Sequence, residues 1–389
     1  MPDTKAIVVD VWSPQLSVKV AGTEYAVGQS GQGLLADVVV EQSNSDLDHF
    51  TLTVLNWDEV RQDRRFIART AQQVLGTAPD AQFPFGLGQL VEINMGYPTW
   101  TKNLIKGEIT RVKPVFPGAG PPMLVIEGGD GLHRLMGGTR SHAYNNKNDK
   151  QIVEEVVRLA NADNGSGRST STRALRAEVT NQPAVQEVHD HVYQFNQTDA
   201  SFLKERARRL GWEVVVQGDV LYFRPPDPAA AGQNMVLEWG KTLESLELNL
   251  NLGQQPTEVE VRSWDGQRGS VITYKTTDGD LRSLVGTALS GAEARRTVFG
   301  GKPVRLTGRL VRTRAEAKAM AIAYLRRQME DFVKVKGTTF GMPDLRPGIT
   351  VTINQIDPAF AGDYYVTRCT HRFGPQGYRT EFEARRMAL

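Results

Sequence analysis

Residues 193–212 read YQFNQTDASFLKERARRLGW and are the most distinctive stretch of the sequence. Thr198 or Asp199 can accept hydrogen bonds from the free amides at the start of a helix. The apolar residues that follow fall on one stripe, and Gly211 suits the left-handed position that ends a helix. The stretch therefore predicts a capped helix, and residues 212–223 predict a β-hairpin directly after it.

Strands are predicted on the N-terminal side of this stretch. Residues 16–20 alternate between apolar and polar, which is the period-two pattern of a half-buried strand. Residues 58–74 predict an amphipathic helix, with Asn56 as its N-cap and Gly76 as its C-terminal stop. Further strands are predicted at residues 34–40, 50–55, 90–95, 104–112 and 123–127.

The C-terminal third of the chain repeats this order of elements. Residues 304–311 are typical of a strand, and Thr313 can cap a helix that runs to Glu330, with Glu316 as its capping-box partner. More strands are predicted at residues 333–337, 349–353, 364–371 and 378–384. The order strand, helix, strands therefore occurs at both ends of the chain.

Individual residues also agree between the two series of strands. The matches are Gly88 with Gly348, residues 91 and 93 with 351 and 353, Gly107 with Gly362, residues 110–112 with 367–369, and Glu127 with Glu383. Chance is the alternative explanation, since glycine before a β-run is common. Together with the shared order of elements, the matches favour two copies of one strand–helix–strand unit.

The segments between and beside the two series of strands differ from them in residue composition and periodicity. Residues 149–161 predict a short helix, and residues 161–172 predict a polar loop rich in Gly and Ser. Residues 265–302 are rich in Gly, Thr and Ser without clear periodicity, so they predict a long exposed loop. Such a loop in a compact domain needs a reason, and contact with another subunit is one.

These patterns predict a mainly β fold with an α+β insert. We expect two similar barrel-like domains, at residues 1–135 and 241–389. A central α/β region at residues 136–240 carries the capped helix and the hairpin. The length of 389 residues agrees with two to three domains, and each domain can be discontinuous in sequence.

Composition excludes several classes of protein. Binding to nucleic acid irrespective of its sequence needs a dense basic surface, and nothing in the net charge of +2 demands one. Arg168, Arg173 and Arg176 form one basic cluster, and their Ser, Thr and Gly neighbours favour a solvated loop over a phosphate site. Cys369 is the only cysteine, so an intrachain disulfide and a thiolate metal cluster are excluded.

The sequence also predicts where the protein is made. Residues 1–12 lack the basic flank and apolar core of a secretory signal. No apolar run approaches the roughly 20 residues that span a bilayer. A single cysteine suits a reducing compartment, so we expect synthesis in the cytoplasm without stable membrane insertion.

No catalytic, cofactor-binding or metal-binding residue is predicted. His189-Asp190-His191 would place two His side chains on one strand face, which is short of the ligands that a zinc site needs. His371 alternates with apolar residues and is typical of a packed or rim histidine. Residues 127–138 are rich in glycine but carry no phosphate-loop or dinucleotide motif, so we interpret these as turn glycines. No Gly-x-Ser-x-Gly nucleophile motif is present.

Two other function classes stay open at this point. A cell-wall hydrolase needs two carboxylates across a cleft, and Glu205 and Glu213 are examples of acidic residues available for it. A peripheral receptor- or carbohydrate-binding β-protein would use exposed aromatic residues such as Tyr97 and Trp100. The plainer interpretations are solvated faces for the two acids and a packed hairpin tip for the two aromatic residues.

The sequence resembles the phage late control protein D family. The resemblance rests on residues 198–207 with Gly211 and the hairpin, and on the C-terminal motifs. These motifs are Leu345-Arg-Pro-Gly, Phe360-Ala-Gly-Asp-Tyr-Tyr-Val-Thr and Thr370-His371, together with Thr257-Glu-Val-Glu-Val-Arg-Ser-Trp before the family's variable loop. The family includes baseplate hubs of contractile phages, and the N-terminal part of type VI secretion spike proteins is similar.

The resemblance implies a non-enzymatic assembly protein without cofactors. A homotrimer with two tube-like β-barrels in each subunit would form a pseudo-hexameric ring that joins a sixfold tail tube to a threefold spike. The implied partners are the chain itself, a tail tube protein, a separate trimeric spike protein, and possible baseplate wedge and tape-measure proteins. We expect the chain to be incorporated into the baseplate of a phage tail or phage-like injection particle.

Overall fold

Antiparallel strands dominate the computed structural model, which describes residues 13–26, 34–77, 83–163, 174–226, 235–266, 269–308 and 311–389. Within these ranges, thirteen strands form one sheet and the others form three small sheets. Helices lie mainly between residues 149 and 329. The predicted mainly β fold class with an α+β insert is therefore confirmed.

The N-terminal strands alternate buried and solvent-facing residues, as their sequences predict. One apolar core fills the space beneath them, with Val18, Phe50, Leu52, Ile93 and Ile126 fully buried. The elements of this region are β1 (Gln15–Val20), β2 (Thr23–Ala26), β3 (Leu35–Ser43), β4 (His49–Leu55), α1 (Ala71–Val74), β5 (Leu90–Tyr97), β6 (Trp100–Val115) and β7 (Met123–Gly129).

The amphipathic helix predicted over residues 58–74 is wrong except for its last turn. Asn56 caps no helix: its buried side chain bonds both the N–H (2.6 Å) and the C=O (3.0 Å) of Phe66, so it braces an irregular loop. The Asp58 carboxylate accepts two local N–H groups, which competes with helix formation. Thr70 caps α1 instead, and Gly76 follows it in a left-handed conformation, as expected of a stop.

The central region has its own apolar core around Ile152, Leu203, Trp212 and Phe223. The predicted short helix, capped helix and hairpin are all present, whereas residues 164–172 of the predicted polar loop lie outside the described ranges. Its elements are the 3₁₀ helix Gly131–Leu135, β8 (Arg140–Asn148), α2 (Asp149–Asp163), β9 (Arg176–Val179), α3 (Pro183–Gln186), β10 (Val188–Gln197), α4 (Asp199–Leu210), β11 (Glu213–Gln217) and β12 (Val220–Arg224).

The C-terminal region contains more helix than its sequence suggested. Thr313 caps helix α7 as predicted, but the Glu316 carboxylate accepts the N–H of Arg312 and not that of the cap. The elements are β13 (Met235–Glu238), β14 (Leu243–Leu250), β15 (Glu258–Asp265), β16 (Ser270–Lys275), α5 (Asp278–Val285), α6 (Gly291–Phe299), β17 (Pro303–Leu306), α7 (Arg314–Met329), β18 (Val333–Phe340), β19 (Thr350–Asn354), β20 (Gly362–Gly374) and β21 (Gly377–Arg386).

The long loop predicted over residues 265–302 is wrong. The segment contains β16 and two helices, each with a complete capping box formed by Thr277 with Asp280 and by Ser290 with Glu293. Leu281 and Ala292 are buried in a small core shared with β15 and α7. A few apolar residues suffice there because α7 supplies the rest of the core. The strand predicted at residues 304–311 is shorter, since β17 ends at Leu306.

Two sets of six strands pair in the same order. In the first copy (β1 and β3–β7) the order is β3-β4-β7-β6-β5-β1, and in the second copy (β13, β14 and β18–β21) it is β14-β18-β21-β20-β19-β13. Numbered along the chain within each copy, these two orders are identical. The last link differs, because β1 runs antiparallel to β5 whereas β13 runs parallel to β19.

Registers agree between the copies as well. Glu127 faces Thr51 and Arg111, and its counterpart Glu383 faces Lys336 and Arg368. The Gly88 N–H donates to Ile109 over 2.7 Å, and that of Gly348 donates to Val366 over 2.9 Å. The match of Gly107 with Gly362 is wrong, because Gly107 faces Val91 whereas Gly362 faces Ile353.

The helices do not belong to the repeat. Helix α1 lies between β4 and β5, whereas α7 lies between β14 and β18, at a different point of the unit. In the second copy, the elements from β15 to α7 form an insert in the chain between β14 and β18, which are neighbours in the sheet. The strands therefore carry the similarity, and the strand–helix–strand order that first suggested it is coincidental.

A strand ladder joins the two copies. Val38–Ser43 of β3 pair antiparallel with Arg368–Phe373 of β20, which makes one continuous sheet. The pairings among the described strands form an open path with one branch at β20, to which β19 and then β13 are attached. The division of the chain into domains at residues 135 and 240 stays a prediction. Among the described helices, none has the length and apolar character to cross a membrane.

Candidate functional site

Glu213 joins the three regions of the molecule. Its buried Oε1 accepts a hydrogen bond from Asn44 Nδ2 (2.8 Å), just past β3, and one from the Tyr365 hydroxyl (2.9 Å) in β20. Burial raises the pKa of Glu213, and burial together with the nearby Glu213 charge raises that of Tyr365. The position of β11 thus fixes where the central region sits against both copies.

A charged cleft lies beside this junction, and Glu330 pairs with two of its arginines. Arg385 Nη2 lies 2.9 Å from Glu330 Oε2, and Arg326 Nε lies 3.3 Å from Glu330 Oε1. Glu205 does not line the cleft and instead bonds Gln197 Nε2 over 3.1 Å on the exposed surface. The two carboxylates considered for a hydrolase are therefore not a facing pair. The cleft is lined by Asn44, Lys204, Arg208, Glu213, Arg326, Arg327, Glu330, Asp331 and Arg385, among others.

The three residues of the His-Asp-His motif have separate partners. His189 Nε2 lies 2.8 Å from Arg206 Nη2 and 3.3 Å from the buried Asp149, while Asp190 forms an ion pair with Arg312. His191 Nδ1 lies 2.7 Å from Asn145 Oδ1. In the described part of the chain, no group of three or more His, Cys, Asp or Glu side chains could hold a metal ion.

The glycines of residues 127–138 serve two purposes. Gly128 and Gly129 are not in a turn, contrary to prediction, because both belong to β7. A Cβ on Gly128 would lie 2.2 Å from the Glu108 carbonyl oxygen and 2.4 Å from the Phe50 ring, so only glycine fits. Gly138 has φ of 70° in a turn, as predicted. None of these observations indicates phosphate binding.

The aromatic hairpin tip packs inside the molecule. Tyr97 is 2% exposed and stacks on Trp100, with ring centroids 6.1 Å apart. Trp100 Nε1 donates to Asp344 of the C-terminal region over 2.6 Å. Tyr97 is therefore unavailable to an external ligand, and the partly buried Trp100 is held by internal contacts. The packed interpretation also holds for His371, whose fully buried ring lies 2.9 Å from the Tyr378 hydroxyl and whose pKa burial lowers to about 4.

Sequence reasoning missed an acidic pair. Pairing of His49 with Gly129 brings Asp48 beside the buried Asp130, whose N–H donates to the Asp48 carbonyl over 2.9 Å. Burial raises the pKa of Asp48 to about 7, and burial followed by the Asp48 charge raises that of Asp130. No local signal could have found this pair, because about 80 residues separate its members in sequence.

Comparison with known proteins assigns a family. The family model described as the Alg8 N-terminal domain matches residues 80–374. The chain belongs to the Alg8 N-terminal domain family. No curated protein gives a significant sequence match.

Solved structures share the fold of this Alg8 N-terminal domain protein over nearly its whole length. A 43 kDa tail protein of prophage MuSo2 from Shewanella oneidensis has a TM-score of 0.67 at 13% identity, covering 96% of this chain and 98% of that one. A tail protein from Neisseria meningitidis MC58 has a TM-score of 0.65 at 13% identity, covering 96% of each chain. The type VI secretion component c3393 of E. coli has a TM-score of 0.53 at 13% identity, covering 94% and 76%. The fold is therefore one found in phage tail and type VI secretion proteins.

An exposed aromatic stripe runs along β10 of this Alg8 N-terminal domain protein. His191, Tyr193 and Phe195 alternate along β10, with ring centroids 6.2 and 5.9 Å apart. Tyr193 is 50% and Phe195 68% exposed. Their period-two spacing is visible in the sequence and could have identified this aromatic stripe. Of the predicted basic cluster, Arg176 is exposed at the start of β9, and Arg168 and Arg173 lie outside the described residues.

Proposed function

We propose that this protein is the structural hub of the baseplate in a contractile tail or injection system. Three chains would form a ring that joins a sixfold tail tube on one face to a threefold spike on the other. The observation that carries the proposal is the presence, in one chain, of two six-strand copies with the same pairing order and matching registers. The role is mechanical and requires no catalytic residue.

Symmetry explains why a hub needs two copies. A ring of three identical subunits offers only three equivalent surfaces, so it cannot match a sixfold tube directly. When each subunit contributes two copies of one strand unit, the ring offers six similar surfaces on that side. The central region and the β15–α7 insert occur once in each chain, so the same ring keeps threefold symmetry elsewhere.

Structural likeness supports this proposal at the level of the fold. The similarity to the two tail proteins covers both copies and the central region, since it spans 96% of the chain. The finer assignment to the late control protein D family rests on the sequence motifs around Gly211 and residues 360–371. Under this proposal the chain is made in the bacterial cytoplasm and is incorporated into the particle. Its partners are further copies of itself, tube and spike proteins, and wedge and tape-measure proteins.

The proposal is tested by measuring mass in solution. The purified chain of 43.0 kDa, alone and co-expressed with the tube and spike proteins encoded beside it, is examined by size-exclusion chromatography with light scattering. We expect a species of three times the chain mass that co-elutes with both partners. A monomer that binds neither partner would contradict the hub role.

A second candidate function is receptor or carbohydrate binding at the tail periphery. The exposed aromatic stripe favours it, because contiguous exposed apolar surface marks interaction sites. Under this alternative, a Tyr193→Ser, Phe195→Ser variant loses binding to cell-surface glycans in a pull-down with purified envelopes. A hub would show no glycan binding before or after the substitutions.

A further inference from the structure

Two strand edges that correspond to the internal joint are left open. Within one chain, β3 of the first copy pairs with β20 of the second. Their counterparts in the other copy are β14 and β6. Among the described strands, β14 pairs only with β18, and residues 111–115 of β6 pair only with β7. In the described part of the chain, β14, the counterpart of β3, therefore has one unpaired edge, and so do residues 111–115 of β6, the counterpart of β20.

We propose that β14 of one subunit pairs antiparallel with β6 of the next, in the register of the β3–β20 ladder. This inference rests on the proposed function, because it identifies the contact between neighbours in the ring. The occupant of each open edge is then a second copy of this chain. In a ring of three subunits, β3–β20 ladders within a chain would then alternate with β14–β6 ladders between chains.

Bulges in the strands fix the register. The irregularity between Leu35 and Asp37 in β3 recurs between Leu243 and Ser245 in β14. Likewise the irregularity between Ile109 and Arg111 in β6 recurs between Val366 and Arg368 in β20. Transferring the internal ladder through these equivalences gives the intersubunit pairs Leu246 with Phe116, Glu247 with Val115, Leu248 with Pro114, Asn249 with Lys113 and Leu250 with Val112.

Exposed apolar residues on both edges support the proposal. Phe373 of β20 packs, partly buried, on the core of the first copy across the internal joint. Its counterpart Phe116 is 65% exposed, and Leu250 on β14 is 46% exposed. Seating a neighbour's Phe116 beside Leu246 would bury an aromatic ring that the isolated chain leaves in water, and such burial favours association.

The outer faces of the two edges also suit each other. Lys113 is exposed on β6, and the proposed register places it opposite Asn249 and diagonal to Glu247, which is exposed on β14. Pro114 has a carbonyl but no N–H, so it removes at most one hydrogen bond from the proposed β14–β6 ladder. A proline at an open edge also discourages pairing with unrelated strands before assembly.

Disulfide trapping tests the register. The full-length Lys113→Cys, Asn249→Cys variant is oxidised and run on a non-reducing gel. Directly opposed residues in antiparallel strands have Cα atoms about 4.5–5.5 Å apart, within reach of a disulfide. We expect covalent dimers and trimers that each single-cysteine variant does not give. The native Cys369 is buried and does not interfere. The matched control Arg111→Cys, Asn249→Cys shifts the pair by two residues, to about 7–8 Å, and should not link.

A pair of phenylalanine variants tests the contact without new covalent bonds. Phe116 and Phe299 are 65% and 66% exposed, and each lies beneath an arginine guanidinium, Arg64 and Arg295 respectively. Phe116→Glu should raise the trimer dissociation constant at least tenfold, whereas Phe299→Glu should leave it unchanged. Equal effects of the two substitutions would overturn the proposed contact.

The outcomes separate this inference from the hub proposal. A trimer that binds tube and spike but gives no 113–249 cross-link overturns the strand contact and leaves the hub role standing. A cross-link between this chain and a tube protein carrying an engineered cysteine, without links between copies, assigns the open edge to the tube and also overturns it. A monomer under all conditions overturns both.

Discussion

Thr110 and Thr367 are each the extra residue of a β-bulge, at the same point in two copies of one unit. The register of β6 against β7 shifts between Ile109 and Arg111, and that of β20 against β21 shifts between Val366 and Arg368. Bulges bend a strand and increase its twist. In both copies the bulge lies just past the residues that pair with the preceding strand, β5 in the first copy and β19 in the second. Beyond the bulge, β20 pairs on that side with β3.

The acidic pair gives the protein a pH-dependent stability. The pKa of Asp48, about 7 in the folded state, lies above the unfolded value of about 3.9. The folded state therefore holds more protons than the unfolded state between roughly pH 4 and 7, and stability falls as pH rises through this window. We expect Asp48→Asn to reduce this loss by up to about 1.4 kcal/mol per pH unit.

Urea unfolding at pH 5 and pH 8 measures the effect. The asparagine side chain of this variant can still accept the N–H of Ser43, which now donates to Asp48 Oδ1 over 2.7 Å, so the fold should persist. Asp357→Asn, on the exposed surface, is the control and should leave the pH dependence as it is. If wild type and Asp48→Asn differ by the same amount at both pH values, the assignment fails. Asp130 remains in the variant, so the slope shrinks without vanishing.

Thr198 is the N-cap of α4, and its hydroxyl accepts the N–H of Ser201 over 3.1 Å. Thr198→Ala should lower the free energy of unfolding by about 0.5–2 kcal/mol, and Thr198→Ser should largely preserve it. Asp199 has a different role, since both of its oxygens bind Arg140 over 3.1 Å. Chemical denaturation of the three proteins checks this, and equal stability of the Ala and Ser variants would show that the cap contributes nothing.

Gly128→Ala should destabilise the first copy. The new methyl group would overlap the Glu108 carbonyl and the Phe50 ring, and overpacking of this kind costs about 1–3 kcal/mol or more. Gly137→Ala is the matched control, because a Cβ there meets nothing within 4 Å. Thermal unfolding followed by circular dichroism should separate the two variants clearly, and coincident melting curves would refute the packing argument.

Glu213→Ala should destabilise the junction more than Glu213→Gln. Alanine leaves the Asn44 amide and the Tyr365 hydroxyl without their acceptor, and each buried unsatisfied group costs about 1–3 kcal/mol. Glutamine keeps an acceptor oxygen at the same position. Limited proteolysis and denaturation of both variants provide the measurement. A Gln variant as unstable as the Ala variant would mean that the negative charge matters more than the acceptor.

Much of the fold followed from local patterns in the sequence. The caps at Thr198 and Thr313 bind amides within one helical turn, and the period-two burial pattern lies within a single strand. Both features can therefore be predicted from one sequence. The matches of residues 110–112 with 367–369 and of Glu127 with Glu383 were visible for the same reason. In the structure, the matched residues occupy equivalent register positions in the two copies.

Other features depend on contacts that sequence reading does not reach. Most of residues 278–299 form two helices because α7 completes their core, although they carry few apolar residues. Residues 58–70 fail to form a helix because Asn56 and Asp58 bind the local backbone. The Asp48–Asp130 pair and the Glu213 junction exist only after distant strands have paired.

The β3–β20 ladder also constrains how the chain can fold during synthesis. Ser43 pairs with Arg368, which is synthesised more than 300 residues later. Nearly the whole polypeptide must therefore leave the ribosome before β3 can pair with β20. Until then β3 presents an unpaired edge, which is the surface through which nascent β-proteins aggregate. High contact order of this kind slows folding. Truncation before β20 should therefore yield insoluble protein. Chaperones should be needed until the C-terminal part of the chain has been translated and β20 can pair with β3.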